Sequence, residues 1–192
     1  MDFIGNTELL KCRKTAFFAP GKISVASVMP SYDWATEMAR SGECVISGFT
    51  SRLESDVWNF LVRGSQPIIV VLTRRKFKVV PMKYRPLLDS NRLLIIFLGY
   101  GSHPCREYAA RRNEYVASIA DRLVFASINP ESSLYPIYTK YKQKSILIYE
   151  WITVIILNTR HVSGIWQWSP CGSRCTDSWS RKRNAANEWW LK

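Results

Sequence analysis

The stretch "YAARRNEYVASIADRLVF", residues 108–125, sets Arg111, Arg112 and Asn113 side by side just before apolar residues at helical spacing. Guanidinium groups bind oxyanions through paired hydrogen bonds, so two of them beside an amide suit a phosphate or carboxylate clamp. A helix start is electropositive, and cations are disfavoured there unless an anion lies beyond them. The same residues also read as two solvated arginines and an asparagine capping the helix with its side chain. A second basic stretch, "TRRKFKVVPMKYRP" (73–86), holds Arg74, Arg75, Lys76, Lys78, Lys83 and Arg85 interleaved with Phe77 and Tyr84. Charges that track phosphates and rings that stack on bases form the usual recipe for single-strand binding. A solvated loop is the competing reading.

Acid–base machinery is sparse. The sequence has neither the G-x-x-x-x-G-K-S/T phosphate loop nor the G-x-S-x-G nucleophile turn. Its two histidines are His103 and His161, and His103, beside Pro104, reads as a solvent-facing loop residue. Glu54 and Asp56 stand two apart on a predicted helix and so point to different faces. Cys171 and Cys175 have only His161 nearby, which leaves a zinc site short of a ligand. No catalytic residue, metal or cofactor is therefore assigned, and a non-enzymatic role is expected.

The elements that must position these residues announce themselves as short apolar runs. They are "ISVASV" (23–28), "CVISG" (44–48), "PIIVVL" (67–72), "RLLIIFL" (92–98), "RLVFA" (122–126) and "SILIYE" (145–150). None alternates cleanly, as expected of strands covered on both faces. Between them lie helical patterns. One places Trp34 and Met38 on a single face and stops at Gly42, and another groups Leu53, Val57, Phe60 and Leu61 before Gly64. A third turns Tyr115, Val116, Ile119 and Ala120 toward a core. This alternation predicts an α/β fold, with helices on both sides of a mostly parallel sheet of about six strands. Ligands of such sheets bind beyond the carboxyl ends of the strands.

The chain has 192 residues and a net charge of +12, from 27 basic and 15 acidic side chains. That balance suits an anionic partner such as nucleic acid, a nucleotide or an acidic surface. The five cysteines are odd in number and scattered, which points to a reducing compartment and not to a disulfide framework. "MDFIGNTELLKCRK" lacks the unbroken apolar core of a signal peptide. "ILIYEWITVIILN" (146–158) carries Glu150 and falls short of the roughly 20 residues of a membrane helix. A cytoplasmic protein without a membrane partner is expected. From His161 onward the periodicity disappears, while five of the eight tryptophans (Trp166, Trp168, Trp179, Trp189 and Trp190) and a basic "SRKRN" gather there. That tail reads as a cover or self-association surface, as a segment without fixed structure, or as a nucleic-acid contact.

Three stretches together resemble a known family. "ARSGECVISGFTSRLESDVW", "PIIVVLTR" and "ARRNEYVASIADRLVFASINPESSL" follow one another as do the signatures of the Rossmann-like domain of the DNA-processing protein A (DprA/Smf) family. There a strand ends in V-S-G-x-A-x-G-I-D, and an R-R-N-R-I-I-A-x-L-S-D segment later precedes a strand and an S-G-S-L loop. Ile46, Ser47 and Gly48 match the first signature, with Leu53 and Glu54 in place of its Ile-Asp. Arg111, Arg112, Asn113, Ala117, Ala120 and Asp121 match the second, and Ser133 and Leu134 the last loop. Arg52, Trp58 and Ser132 stand where the pattern has glycine, histidine and glycine. The signature P-G-G-x-G-T-x-x-E of the related phosphoribohydrolases is absent, which lowers the enzyme reading.

The resemblance implies a Rossmann-like three-layer sandwich over residues 22–158, between an N-terminal extension (1–21) and the Trp-rich basic tail (159–192). It further implies one electropositive edge where Ser47, Gly48 and Thr50 follow a strand, Arg111–Asn113 open a helix, and Ser132 and Ser133 begin another. Arg52 could restore charge where a glycine is lost. The role so implied is binding of single-stranded DNA in DNA processing or recombination or, alternatively, binding or processing of a nucleotide, with a recombinase partner and a homodimer by family analogy.

Overall fold

The apolar runs at 44–48, 67–72, 92–98 and 122–126 each become a strand buried on both faces, and the computed structural model describes residues 1–101 and 105–148. All of them belong to one compact unit, Met1–Asn158. His103, Glu150, His161, Cys171, Cys175 and the segment 159–192 lie outside the described residues.

In chain order the strands are β1 (Asp2–Gly5), β2 (Lys14–Phe18), β3 (Cys44–Ser47), β4 (Ile68–Leu72), β5 (Leu93–Phe97), β6 (Arg122–Phe125) and β7 (Ser145–Leu147). The helices are α1 (Val28–Ser41), α2 (Arg52–Arg63), α3 (Arg85–Asp89), α4 (Arg106–Ile119) and α5 (Tyr135–Lys140). The strands form one sheet in the order β1-β5-β4-β3-β2-β6-β7. β1 lies antiparallel to β5, and every other pairing is parallel. Two apolar layers hold the sheet. On one face Trp34, Met38, Leu53, Val57 and Leu61 of α1 and α2 pack on Phe17, Val45, Val70, Ile95 and Phe97. On the other, Val116, Ala117 and Ile137 of α4 and α5 pack on Phe18, Ile46, Ile69, Leu94, Ile96 and Phe125. Alternate residues of one continuous apolar strand thus serve opposite layers, which is why the runs show no alternation in the sequence. The fold is a Rossmann-like α/β sandwich.

The amino-terminal end departs from expectation. Residues 1–21, read as an extension, supply β1 at an edge of the sheet and β2 inside it, between β3 and β6. β2 hides behind its composition, because KTAFF opens with Lys14 and Thr15, yet all five of its residues are buried. Lys14 sits there because its Nζ donates to the carbonyls of Leu10 (3.0 Å) and Cys12 (2.6 Å). The run at 23–28 is not a strand. It makes a 3-10 turn at Val25–Ser27 leading into α1. Serine hydroxyls satisfy this backbone: Ser27 Oγ donates to Ser24 O and Ser31 Oγ to Ser27 O, each at 2.7 Å. Val25, 87% exposed, contributes nothing to the core. Among the described residues no helix is long and apolar enough to cross a membrane.

The strand order sets where a ligand can sit. From β2 the chain steps outward through β3, β4 and β5, then returns to place β6 on the other side of β2. The loops after β2 and β6 therefore part in opposite directions, opening a crevice at the carboxyl ends of the two strands.

Candidate nucleic-acid interface

That crevice is lined by Pro20, Gly21 and Lys22 after β2, by Asn129, Glu131, Ser132 and Ser133 after β6, and by Arg106 at the start of α4, enclosing about 290 Å3. Its floor is pre-formed. Ser132 N–H donates to Asn129 O (2.8 Å), Asn129 Oδ1 accepts from Glu131 N–H (3.0 Å), and Ser132 Oγ accepts from Leu134 N–H (3.2 Å). Ser133 also borders a second, shallower hollow of about 550 Å3, shared with Tyr100, Ala110, Arg111, Glu114 and Tyr115. Ser132, Ser133 and Arg111, singled out from the sequence, are thus brought close together. Lys22 and Arg106 were not. The Pro-Gly pair after the apolar "AFFA" marks a strand-ending turn and was the available signal for Lys22.

The three-residue group in α4 divides. The helix begins at Arg106, with Cys105 as its N-cap and no capping side chain, so Arg111–Asn113 fall in its second turn and Asn113 caps nothing. Asn113 instead accepts on Oδ1 from Arg112 Nε (3.1 Å) and Nη2 (2.8 Å). Arg112 is 6% exposed. Its guanidinium lies against Gly48, where a Cβ would come within 2.6 Å of Cζ and Nε. Burial pulls its pKa down, while the Glu54 carboxylate acts in the opposite direction. Arg111 points outward, pairs with Glu107 Oε1 (2.7 Å) and lies 5.6 Å from the centroid of the Tyr100 ring.

Glu54 anchors the turn above Arg112. Only 4% exposed, it accepts from Ala19 N–H (3.2 Å) at the end of β2 and from Thr50 (2.8 Å) and Ser51 (3.2 Å) N–H after β3. Ser51 Oγ in turn accepts from Glu54 N–H, completing a capping box for α2. Just before them Phe49 takes a left-handed φ of 49°, with its ring edge-on to Trp58 at 5.2 Å. Ser47 and Gly48 are buried in this turn, whereas Thr50 and Arg52 are exposed on it.

The basic loop after β4 presents Arg74, Arg75, Lys76 and Lys78 to solvent. Its rings do not serve as the sequence suggested. Tyr84 is buried, edge-on to Trp58 at 5.6 Å, and Phe77 packs edge-on to Phe97 at 5.1 Å under the Arg74 guanidinium. Both anchor the loop to the α2-side core, since an aromatic ring gains more from apolar contact than from water. The exposed ring nearby is Tyr100, whose N–H donates to Thr73 O (2.8 Å) at the root of this loop.

No protein-family profile matches the chain, and no curated protein does. Among solved structures, one describing a unique single-stranded DNA binding mode of DNA processing protein A from Helicobacter pylori is similar, with a TM-score of 0.57 and 18% identity, covering 76% of this chain and 69% of that one. DNA processing protein A from Streptococcus pneumoniae gives a TM-score of 0.59 at 17% identity and covers 76% of this chain; this chain spans about half, 53%, of that one. A molybdenum cofactor binding protein from Rippkaea orientalis gives 0.50 at 13% identity, over 77% of this chain and 86% of that one. Identities of this order speak for the fold. The chain has the Rossmann-like fold of DNA processing protein A.

Proposed function

We propose that this protein is a nucleic-acid-binding domain of the DNA-processing kind, taking single-stranded DNA along the carboxyl edge of its sheet. One observation carries the reading: parallel strands end together there, and their loops and the first turns of α4 hold Lys22, Arg74, Arg75, Lys76, Lys78, Arg106 and Arg111 on that edge. Cations spaced along one rim can neutralise successive phosphates, and the released counterions drive binding. Buried Arg112, with Asn113, Ser47, Gly48 and Glu54, would shape the rim from beneath, while Thr50 and Arg52 extend it past β3. The single-stranded DNA binding described for the Helicobacter pylori protein supports the choice of ligand. Fluorescence anisotropy with a labelled oligonucleotide at two salt concentrations tests it: affinity should fall steeply with salt, and an absence of binding at low salt would end the proposal. A homodimer and a recombinase partner belong to the same reading, and sedimentation of the full chain tests the first.

The β2/β6 crevice favours a second reading. A hollow lined by Lys22, Arg106, Ser132 and Ser133 at the switch point has the place and chemistry of a nucleotide phosphate site. Saturable mononucleotide binding, with a thermal shift that grows with ligand concentration, would favour it.

A further inference from the structure

The Tyr100 ring has no place in the core: it is 37% exposed and lies beside, not within, either apolar layer. It stacks on Tyr108 with ring centroids 5.7 Å apart and planes 27° from parallel. Gly101 makes room for that partner, since a Cβ there would come within 3.1 Å of Tyr108 Cε2. Arg111 approaches the Tyr100 ring at 5.6 Å, and the backbone of Tyr100 is tied to the root of the basic loop through Thr73. Two rings held together, one of them partly in water with the Arg111 guanidinium beside it, form a firm flat surface next to places where phosphates would lie.

We infer that Tyr100, backed by Tyr108 and flanked by Arg111, is a stacking platform for an unpaired nucleobase. The inference rests on the nucleic-acid reading above and adds to it the chemical feature recognised, namely the open face of a base. Every base has such a face, so the platform is tolerant of sequence but excludes duplex, whose bases are already stacked. Arg111 serves two purposes here, meeting the phosphate of the stacked nucleotide and lying against the ring. Its pairing with Glu107 keeps it extended beside Tyr100 before the strand arrives.

The test compares labelled oligo-dT with an abasic strand of equal length, which keeps the phosphates and lacks the bases, using the full chain and its Tyr100→Leu and Tyr100→Phe variants. Leucine keeps apolar bulk without a π face, and circular dichroism checks that each variant is folded. The full chain should bind oligo-dT about fivefold or more tighter than the abasic strand. Tyr100→Leu should erase that difference while leaving abasic affinity unchanged, and Tyr100→Phe should retain it. Equal affinity of the full chain for the two strands, or a Tyr100→Leu variant that still prefers oligo-dT, would overturn the platform and leave the basic rim standing. Binding to neither strand would remove the nucleic-acid reading itself.

Discussion

The guanidinium of Arg112 occupies the space that a side chain at residue 48 would need: a Cβ on Gly48 would lie 2.6 Å from both Cζ and Nε. The strand-end glycine and the helix arginine are therefore one device, with Glu54 contributing the opposing charge and the backbone bonds that fix the turn. Gly48→Ala should cost about 1–3 kcal/mol by overpacking, read as a lower urea midpoint at unchanged slope. Because the two residues share one space, combining it with Arg112→Ala should give a non-additive loss.

Asp121 supplies a pH dependence. Its carboxylate accepts from Lys14 N–H at 2.7 Å, and this bond, foremost, holds its pKa below the usual carboxylate value. A folded-state pKa below the unfolded one (about 3.9 for aspartate) means that the contribution is complete above that value and lost as pH falls through the lower, folded one. Urea midpoints should therefore begin to drop as pH falls through about 4 and go on falling below it, and Asp121→Asn should show a smaller acid-side drop than the parent chain.

The cysteines should differ in reactivity. Cys44 is buried in β3, and its thiol is pushed up to about 12, mainly by burial. Cys12 and Cys105 are exposed. Since the thiolate is the nucleophile, brief alkylation of the folded chain followed by peptide mass spectrometry should label Cys12 and Cys105 and spare Cys44. Labelling of Cys44 should appear only in denaturant.

Strands β3 to β6 were legible because a strand covered on both faces must be apolar throughout, and four such runs announce it. β2 was not, because its first two residues are Lys14 and Thr15, which are buried by bonding to the carbonyls of Leu10 and Cys12 just upstream and to the Glu43 carboxylate of a distant segment. Missing β2 also hid the switch point, and with it Lys22 and Arg106. The start of α4 was obscure because "REYAARR" has no apolar stripe and its N-cap lacks a capping side chain. Phe77 and Tyr84 look exposed in a basic run, and only the packing of Phe97 and Trp58 reveals them as anchors. Arg112 reads like its neighbour Arg111, and one residue's rotation around the helix separates a buried strut from a surface cation.

The basic rim is tested most directly by the salt dependence of oligonucleotide binding. Lys76→Ala/Lys78→Ala alters exposed charges on the loop after β4, at the carboxyl edge. Arg40→Ala/Arg63→Ala alters exposed charges in the last turns of α1 and α2, at the opposite edge. Each lost single-strand phosphate contact should reduce the log–log slope by about 0.7. The account predicts a shallower slope and weaker binding for the first variant, and an unchanged slope for the second. A slope lost with the Arg40/Arg63 pair, or unmoved in both, would contradict it.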